Sequence, residues 1–338
     1  MRLLVTGGCG FIGSNFIRLL LREGKVQRVT NLDALTYAAN PENLEEFKGD
    51  PRYAFMQGSI VNADLVNTLA MEGFDAIVNF AAESHVDRSL YGPVEFAKTN
   101  LQGTINLLEA AKRYGVGRFI QISTDEVYGS LPDEGAFVET TPLHPNNPYA
   151  VTKAAADMMV QAYVHTFGLE AVITRSSNNY GPYQFPEKFI PLFVTNAMEG
   201  KDCPLYGDGM QVRDWLHVED NCRGILAALE RGKAGEVYNL GGGNERPNLE
   251  LARAMLKVMG RPESLIKFVK DRPGHDRRYA IDWTKALRDL DWRPSVGFDG
   301  GLWQTVEWYC GHRDWVERAK SGEFRKHYER HYDKPAGV

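Results

Sequence analysis

Three glycines, Gly7, Gly10 and Gly13, follow the apolar run Leu3-Leu4-Val5 and open an amphipathic stretch that reaches Arg22. A strand that turns through glycines directly into a helix leaves few folds open. The Gly-x-x-Gly-x-x-Gly spacing lets the backbone come close to a pyrophosphate, which then rests on the helix N-terminus, where free N–H groups and the helix dipole favour negative charge. A plain glycine-rich turn shares that spacing; the position between an N-terminal strand and a helix argues for the dinucleotide reading.

The strand–helix alternation continues through the first half. Short apolar runs predict strands at residues 3–6, 28–32, 54–57, 76–80, 118–123 and 171–174, separated by amphipathic segments at 12–22, 64–71, 94–114 and 148–167. That order predicts an α/β fold, a doubly wound parallel sheet of Rossmann type, over residues 1–178. Past residue 178 the pattern changes. Residues 179–186 are rich in Pro, Gly and aromatics and read as a loop over the sheet edge. Shorter elements follow, helices near 189–198, 218–230 and 249–259 and a strand near 203–206. They predict a smaller C-terminal substrate-binding lobe, residues 179–338, with the chain free to cross between the two parts. The charged and aromatic tail 311–338 reads as a peripheral helix.

Asp33 ends the second predicted strand, about 20 residues past the glycine loop, where an acid suits a ribose diol. A carboxylate there repels the 2′-phosphate of NADP, so the expected cofactor is NAD. The small residues of Phe80-Ala81-Ala82-Glu83-Ser84-His85, after the fourth strand, leave room for it at the carboxyl edge of the sheet. His85 reads equally as a structural hydrogen-bonding group or as a ligand contact.

Ser123-Thr124-Asp125-Glu126-Val127-Tyr128-Gly129 and Tyr149-Ala150-Val151-Thr152-Lys153 carry the chemistry. Tyr-x-x-x-Lys is common by chance, but here it lies on a predicted helix just after Ser-Thr at a strand end. One helical turn puts Tyr149 and Lys153 on one face. A nearby ammonium and a cationic nicotinamide favour phenolate, which predicts a phenol lowered from about 10. Such a pair removes a hydroxyl proton while a hydride leaves the same carbon, and Thr124 is placed to hold that hydroxyl. Adjacent acids after a strand are often only a solvated helix start. At this sheet edge Asp125 and Glu126 instead supply a second acid and a second base, which a simple oxidoreductase does not need. An enzyme that oxidises a sugar, eliminates water and reduces it again does need them.

Composition narrows the classes. A net charge of -5 with no basic tract argues against nucleic acid as the main partner. The scattered cysteines Cys9, Cys203, Cys222 and Cys310 form no Cys-x-x-Cys pair, and no His/Cys/Asp cluster suggests a metal. With no signal peptide and no apolar run near the ~20 residues of a membrane span, a cytoplasmic protein is expected.

These motifs together resemble the nucleoside-diphosphate-sugar 4,6-dehydratases of the extended short-chain dehydrogenase family. The resemblance runs from the Gly7 loop to Arg293-Pro294 and includes Ala81–Ser89, Ser177-Asn178-Asn179-Tyr180-Gly181-Pro182-Tyr183, the stretch from Tyr206 to Trp215, and Arg272-Pro273-Gly274-His275-Asp276. The Asp-Glu pair is what separates the dehydratases from the similar 4-epimerases.

The resemblance implies dTDP-glucose as substrate, with another nucleotide sugar or a 4-epimerase activity as the alternative, and a soluble homodimer held by a four-helix bundle of the two long helices. It implies Thr124, Asp125, Glu126, Tyr149 and Lys153 as catalytic residues: Tyr149 as base on the C4 hydroxyl, Glu126 on the C5 proton, Asp125 as acid for the C6 hydroxyl. For NAD it implies Gly7, Gly10, Phe11, Ile12, Gly13, Asp33 and Thr36, then Ser59, Ile60, Ala81, Ser84, Thr99, Tyr149, Lys153 and Asn179. For the nucleotide sugar it implies His85, Thr124, Asn178, Lys188, Phe189 and Pro204, then Tyr206, Arg213, Asn248, Arg272 and His275. Arg213 and Arg272 can fork onto a diphosphate and Tyr206 offers a ring to a base, though a lone arginine by itself defaults to a surface role. One departure stands out. The family has Gly-Asp-Ile after the third strand, whereas this chain has Gly58-Ser59-Ile60, which predicts altered cofactor affinity rather than altered chemistry.

Overall fold

The computed structural model describes residues 1–271 and 274–320. Six strands alternate with helices in the first half: β1 (Arg2–Thr6), β2 (Arg28–Asp33), β3 (Tyr53–Gln57), β4 (Ala76–Asn79), β5 (Arg118–Thr124) and β6 (Ala171–Ser176). Six more follow: β7 (Asn178–Tyr180), β8 (Cys203–Tyr206), β9 (Val212–His217), β10 (Val237–Leu240), β11 (Glu245–Pro247) and β12 (Ile266–Val269). The main sheet is parallel throughout, in the order β10-β6-β5-β4-β1-β2-β3. Strand order reverses between β1 and β4, and in open α/β sheets the ligand crevice forms at that switch point, outside the carboxyl ends of the strands. The glycine loop after β1 and the Phe80–Ser84 segment after β4 both emerge there.

Alternate strand residues point to opposite faces, and each face has its own core. Leu3 and Val5 of β1 pack with Ala76, Val78 and Val172 on one side, under α1 (Phe11–Arg22). Leu4, Ile77, Phe119 and Ile173 pack on the other, under α2 (Ala63–Ala70) and the helices that follow it. Burial on both faces is why these strands read as continuous apolar runs.

Those following helices are α3 (Val86–Tyr91), α4 (Pro93–Phe96), α5 (Thr104–Tyr114) and α6 (Pro148–Phe167). The single helix expected over 94–114 is interrupted: residues Ala97–Gly103 form a π-helical stretch between α4 and α5. The wide turn coincides with Asn100, which is drawn inward. Its side chain accepts from Glu83 N at 2.8 Å and donates to Glu83 O at 3.0 Å and Thr152 Oγ1 at 2.9 Å. Such π-bulges often mark functional sites, and Thr99 beside Asn100 lines the central cavity.

The later half supplies α7 (Phe189–Met198) and α8 (Val218–Arg231). α8 packs on α1, and β10 joins the main sheet beside β6, so the chain returns to the first core after leaving it. A third core, built on Phe193, Trp215, Leu251, Phe298 and Tyr309, lies under the small sheet β11-β9-β7. The segment expected to be all loop over 179–186 begins inside β7, whose pairing with β9 holds Asn178 opposite Trp215. Of the expected tail helix, Arg313–Ala319 is helical, and residues 321–338 lie outside the described residues.

Candidate active site

The glycine loop makes three different demands on its residues. Gly7 sits at φ +70°, and a Cβ there would stand 2.6 Å from Ala81 N, so the loop after β4 packs directly on it. A Cβ on Gly13 would meet Gly7 O at 2.4 Å. Gly10 caps α1 without a side-chain hydrogen bond, and its Cβ would come near Gly7 O alone, at 3.3 Å. Its constraint is therefore the open space in front of the helix N-terminus, which is the space a pyrophosphate needs. Asp33 Oδ2 accepts from Cys9 N and Oδ1 from Leu35 N, each at 2.8 Å. Burial raises its pKa while those two N–H groups oppose the shift. Glycine cradle and acid together fit a dinucleotide with an unphosphorylated ribose.

A cavity of about 330 Å³ opens in front of this cradle, in the range of small-ligand and cofactor sites. Every residue expected at the cofactor lines it: Gly7, Gly10, Phe11, Ile12 and Gly13, then Asp33, Thr36, Ser59, Ile60 and Ala81, and also Ser84, Thr99, Tyr149, Lys153 and Asn179. Ser59 Oγ accepts the Val61 N–H at 3.2 Å, which leaves its own O–H to donate. An aspartate here would add a charge but could not donate. Ser59→Asp is expected to change the rate at which bound NAD is lost, with turnover chemistry intact; equal retention by variant and parent, measured after gel filtration, removes the idea.

The five catalytic candidates line the inner end of the same cavity. Thr124 ends β5, and its Oγ1 accepts from Glu126 N at 3.3 Å, capping the short turn Asp125–Tyr128. Asp125 is 2% exposed; its Oδ1 accepts from Thr124 Oγ1 at 3.2 Å, while its buried Oδ2 has no hydrogen-bond partner among the described residues. Burial, then the charges of Glu126 and Asp214, push the Asp125 carboxyl well above the usual carboxylate range against the pull of Thr124 and Arg213. A shift in that direction favours the protonated form, which is the form a general acid needs. Glu126 is half-buried, and Asn147 Nδ2 donates to its Oε2 at 3.4 Å.

Asn147 also caps α6, accepting from Ala150 N at 2.9 Å, with Pro148 at the first helical position. One residue therefore fixes both the helix that carries Tyr149 and the carboxylate that faces it. Lys153 Nζ donates to Ile122 O at 2.5 Å. Burial pulls the Lys153 pKa down to about 8, with Asp157 opposing. The protein surroundings alone raise the Tyr149 phenol, whereas the expected lowering counts on the charge of a bound nicotinamide as well. Burial is the largest cause, then the charges of Glu126 and Asp125, with a hydrogen bond to Thr124 pulling the other way. Two acids face the phenol, and one N–H of the Lys153 ammonium is directed at a backbone carbonyl, so the cofactor's cation is expected to be what brings the phenol down.

Behind these groups lies a network that the sequence reading did not single out. Asp157 Oδ2 accepts from Ser123 Oγ and from Arg175 Nε, both at 2.9 Å, and Arg175 donates on to Tyr128 Oη at 2.9 Å. Tyr149, Lys153 and Asp157 are spaced by four residues along one face of α6; that period was the available signal. Asn147 carried a signal too, an Asn-Pro at a helix start.

The substrate candidates divide. Thr124, Asn178 and Lys188 line the cavity. His85, Phe189, Pro204, Tyr206, Arg213, Asn248 and His275 stand outside its lining, and Arg272 lies outside the described residues. Several of the outer group converge on one place. Tyr206, at the end of β8, donates to Asp87 Oδ2 at 3.2 Å, His85 Nδ1 stands 4.0 Å from the same oxygen, and the His275 ring meets Tyr206 edge-on at 6.0 Å. Phe189 stacks on Trp215, and Pro204 belongs to β8. Asn248 starts the helix Asn248–Val258 with its Oδ1 buried and without a hydrogen-bond partner among the described residues. Arg213 is buried over the Tyr279 ring and donates to Val212 O and Asp276 O, both at 2.8 Å.

Known proteins place this architecture. A family model described as GDP-mannose 4,6 dehydratase matches residues 4–305. The dTDP-glucose 4,6-dehydratase of an Actinoplanes species is 51% identical over 320 residues, covering 93% of this chain and 99% of the relative. The chain belongs to the nucleotide-sugar 4,6-dehydratase family. Within that family, the Streptomyces niveus dTDP-glucose 4,6-dehydratase is 52% identical over 95% of this chain and 96% of its own. The crystal structure of DesIV, a dTDP-glucose 4,6-dehydratase from Streptomyces venezuelae with NAD and TYD bound, superposes with a TM-score of 0.93 at 52% identity, covering 95% of this chain and 100% of that one. A UDP-glucose 4-epimerase of Thermotoga maritima with UDP-glucose shares the architecture at a TM-score of 0.86 and 31% identity, over 92% of this chain and 99% of its own.

Proposed function

We propose that this chain converts dTDP-glucose to dTDP-4-keto-6-deoxyglucose, a hydro-lyase reaction carried out on a retained NAD. The observation that carries the reading is the placement of Asp125, a buried carboxyl, beside Glu126 and Tyr149 in the lining of one cavity. An epimerase that only moves a hydride at C4 has no task for that pair.

NAD, when bound, supplies the acceptor and later the donor of one hydride, so none is consumed. The protein's own groups move the protons. Tyr149 takes the proton of the C4 hydroxyl, which Thr124 holds from the other side. Glu126 removes the C5 proton, acidified by the neighbouring 4-keto group. Asp125 gives its proton to the C6 hydroxyl, which departs as water, and Glu126 returns a proton to C5. Lys153, fixed on the Ile122 carbonyl, sets the charge behind Tyr149. Lys188 and Asn178 are assigned to the nucleotide sugar, with the His85–Tyr206–His275 cluster at its nucleotide end. Arg213 is assigned to the same ligand.

Proton NMR of the reaction with dTDP-glucose in heavy water tests the whole scheme. Deuterium at C5 with the migrating hydrogen kept at C6 is the expected product pattern. A dTDP-galactose product without deuterium means an epimerase, and the roles of Asp125 and Glu126 fall.

We further propose a homodimer through α5 and α6 and the turns before α5. Val94, Val151 and Met158 are 61%, 49% and 65% exposed in one chain, an apolar set that water disfavours. Light scattering is expected at twice the chain mass of 38.0 kDa, and Met158→Arg is expected to shift it to one chain; a parent protein already at one chain refutes the dimer. No helix among the described residues is long and apolar enough to cross a membrane, and Cys9, Cys203, Cys222 and Cys310 are free thiols, which supports a cytoplasmic setting.

A further inference from the structure

The cavity walls include three segments far apart in sequence: Thr36, Ala38 and Ala39 after β2, Glu83 and Ser84 before α3, and Phe185, Glu187 and Lys188 before α7. Tyr37 and Arg88 lie outside the lining, Tyr37 within the first of these segments and Arg88 on α3, just after the second. The Arg88 guanidinium sits 3.6 Å from the centre of the Tyr37 ring. Its edge meets Glu187 Oε2, with Nε and the terminal nitrogen each at 3.1 Å. The Glu187 side chain is 2% exposed and that of Arg88 20%. The Tyr37 ring also meets Phe185 edge-on at 5.7 Å, and Lys188 Nζ donates to Ser84 O at 2.9 Å. Asn15 of α1 donates to Pro182 O at 3.1 Å, tying the base of the third segment to the glycine-loop helix.

We infer that Tyr37, Arg88 and Glu187 form a clasp that retains the dinucleotide by joining the three loops around it. A planar cation stacked on a ring, with its Nε donating to a buried carboxylate, binds two segments at once. The pair is weak ground for stability, since the Glu187 carboxylate has left water to make it. Its position offers a different reason for it. A cofactor that must give back the hydride it took cannot leave between the two transfers, and the loops that would have to part are the ones Arg88 holds. Tyr37 and Arg88 are positioning residues; they act through the wall and touch no reacting atom. The inference rests on the NAD reading above.

The test is the rate of NAD loss. Purified protein is saturated with NAD, passed down a gel-filtration column, and the remaining cofactor and its release into buffer are followed by absorbance and by trapping with a second NAD-binding enzyme. The parent chain is expected to keep its cofactor, and Arg88→Met to release it about tenfold faster or more, as removal of one member of a buried pair raises dissociation rates. Because Arg88→Met leaves Glu187 buried and unpaired, an Arg88→Met/Glu187→Met double variant and Tyr37→Leu are measured beside it, with folding checked by circular dichroism. Unchanged release in the folded variants overturns the clasp, even where their melting temperature drops. Rapid loss of NAD from the parent overturns it as well. Failure of the parent to bind NAD at any concentration instead overturns the cofactor reading on which the clasp stands.

Discussion

Glu126→Gln, given dTDP-glucose, is expected to oxidise the sugar at C4 and stop there. The substitution keeps the size of the side chain and the Asn147 contact to it, but an amide does not remove the C5 proton. Dehydration should fall by about 10²–10⁴-fold, the usual worth of one general base. The reduced cofactor, whose hydride then has no C6 acceptor, should accumulate on the enzyme as near-ultraviolet absorbance. Full dehydratase activity in this variant would remove the role given to Glu126. Asp125→Asn is expected to lose a similar factor through the other half of the elimination, and to do something further to stability. The Asp125 pKa is raised in the folded chain. The unfolded chain, with an ordinary carboxyl near ~4, therefore releases its proton first as pH rises, and folding loses stability from that point upward. Asparagine escapes this. The melting temperature of Asp125→Asn should exceed the parent's at pH 7 by more than at pH 4.5, an inactive but sturdier protein, and an equal gap at both pH values would show that Asp125 is ionised in the fold.

Tyr149→Phe is expected to block even the first transfer. The ring still packs edge-on against Phe96 at 6.3 Å, so the helix and Lys153 stay in place while the proton acceptor is gone. Turnover should fall by about 10²–10⁴-fold, and, unlike Glu126→Gln, no reduced cofactor should form on adding substrate. A normal burst of it would show that another group takes the C4 proton. The two variants thus separate oxidation from elimination within one cavity. The same geometry explains why the phenol needs the cofactor. In the chain alone, burial and the two acids hold the Tyr149 proton in place, so a base strong enough to act at C4 is assembled only when a cation arrives beside it.

The chemistry of the chain was largely readable as local pattern. Glycines between a strand and a helix, an acid at the end of β2, Thr-Asp-Glu at the end of β5 and Tyr-x-x-x-Lys on α6 are all short-range features. Each is fixed by a period or a spacing that a linear chain displays. The parallel sheet followed from the same source, because strands buried on both faces must be apolar throughout and must be joined by helices. Residue type alone also set Asp33 against a 2′-phosphate and Ser59 apart from the family's aspartate.

What depends on distance in space did not show. β10 joins the main sheet between two visits of the chain to its third core, and nothing within Val237–Leu240 announces β6 as its neighbour. Asn100 opens a π-helical stretch because the backbone of Glu83 is there to receive it. Arg213 donates to the carbonyls of Val212 and Asp276, a tie that its place in the sequence does not show. The sign of the Tyr149 shift, the Asp157–Arg175 network and the Tyr37–Arg88–Glu187 clasp all arise from groups brought together across long stretches of sequence. Which groups the chain owns, and on which faces they stand, the sequence by itself determined. Which charges meet, which proton is held and which loops are tied together, only the tertiary structure decided, because electrostatic and hydrogen-bond energies depend on separation and burial, and neither is written in the order of residues.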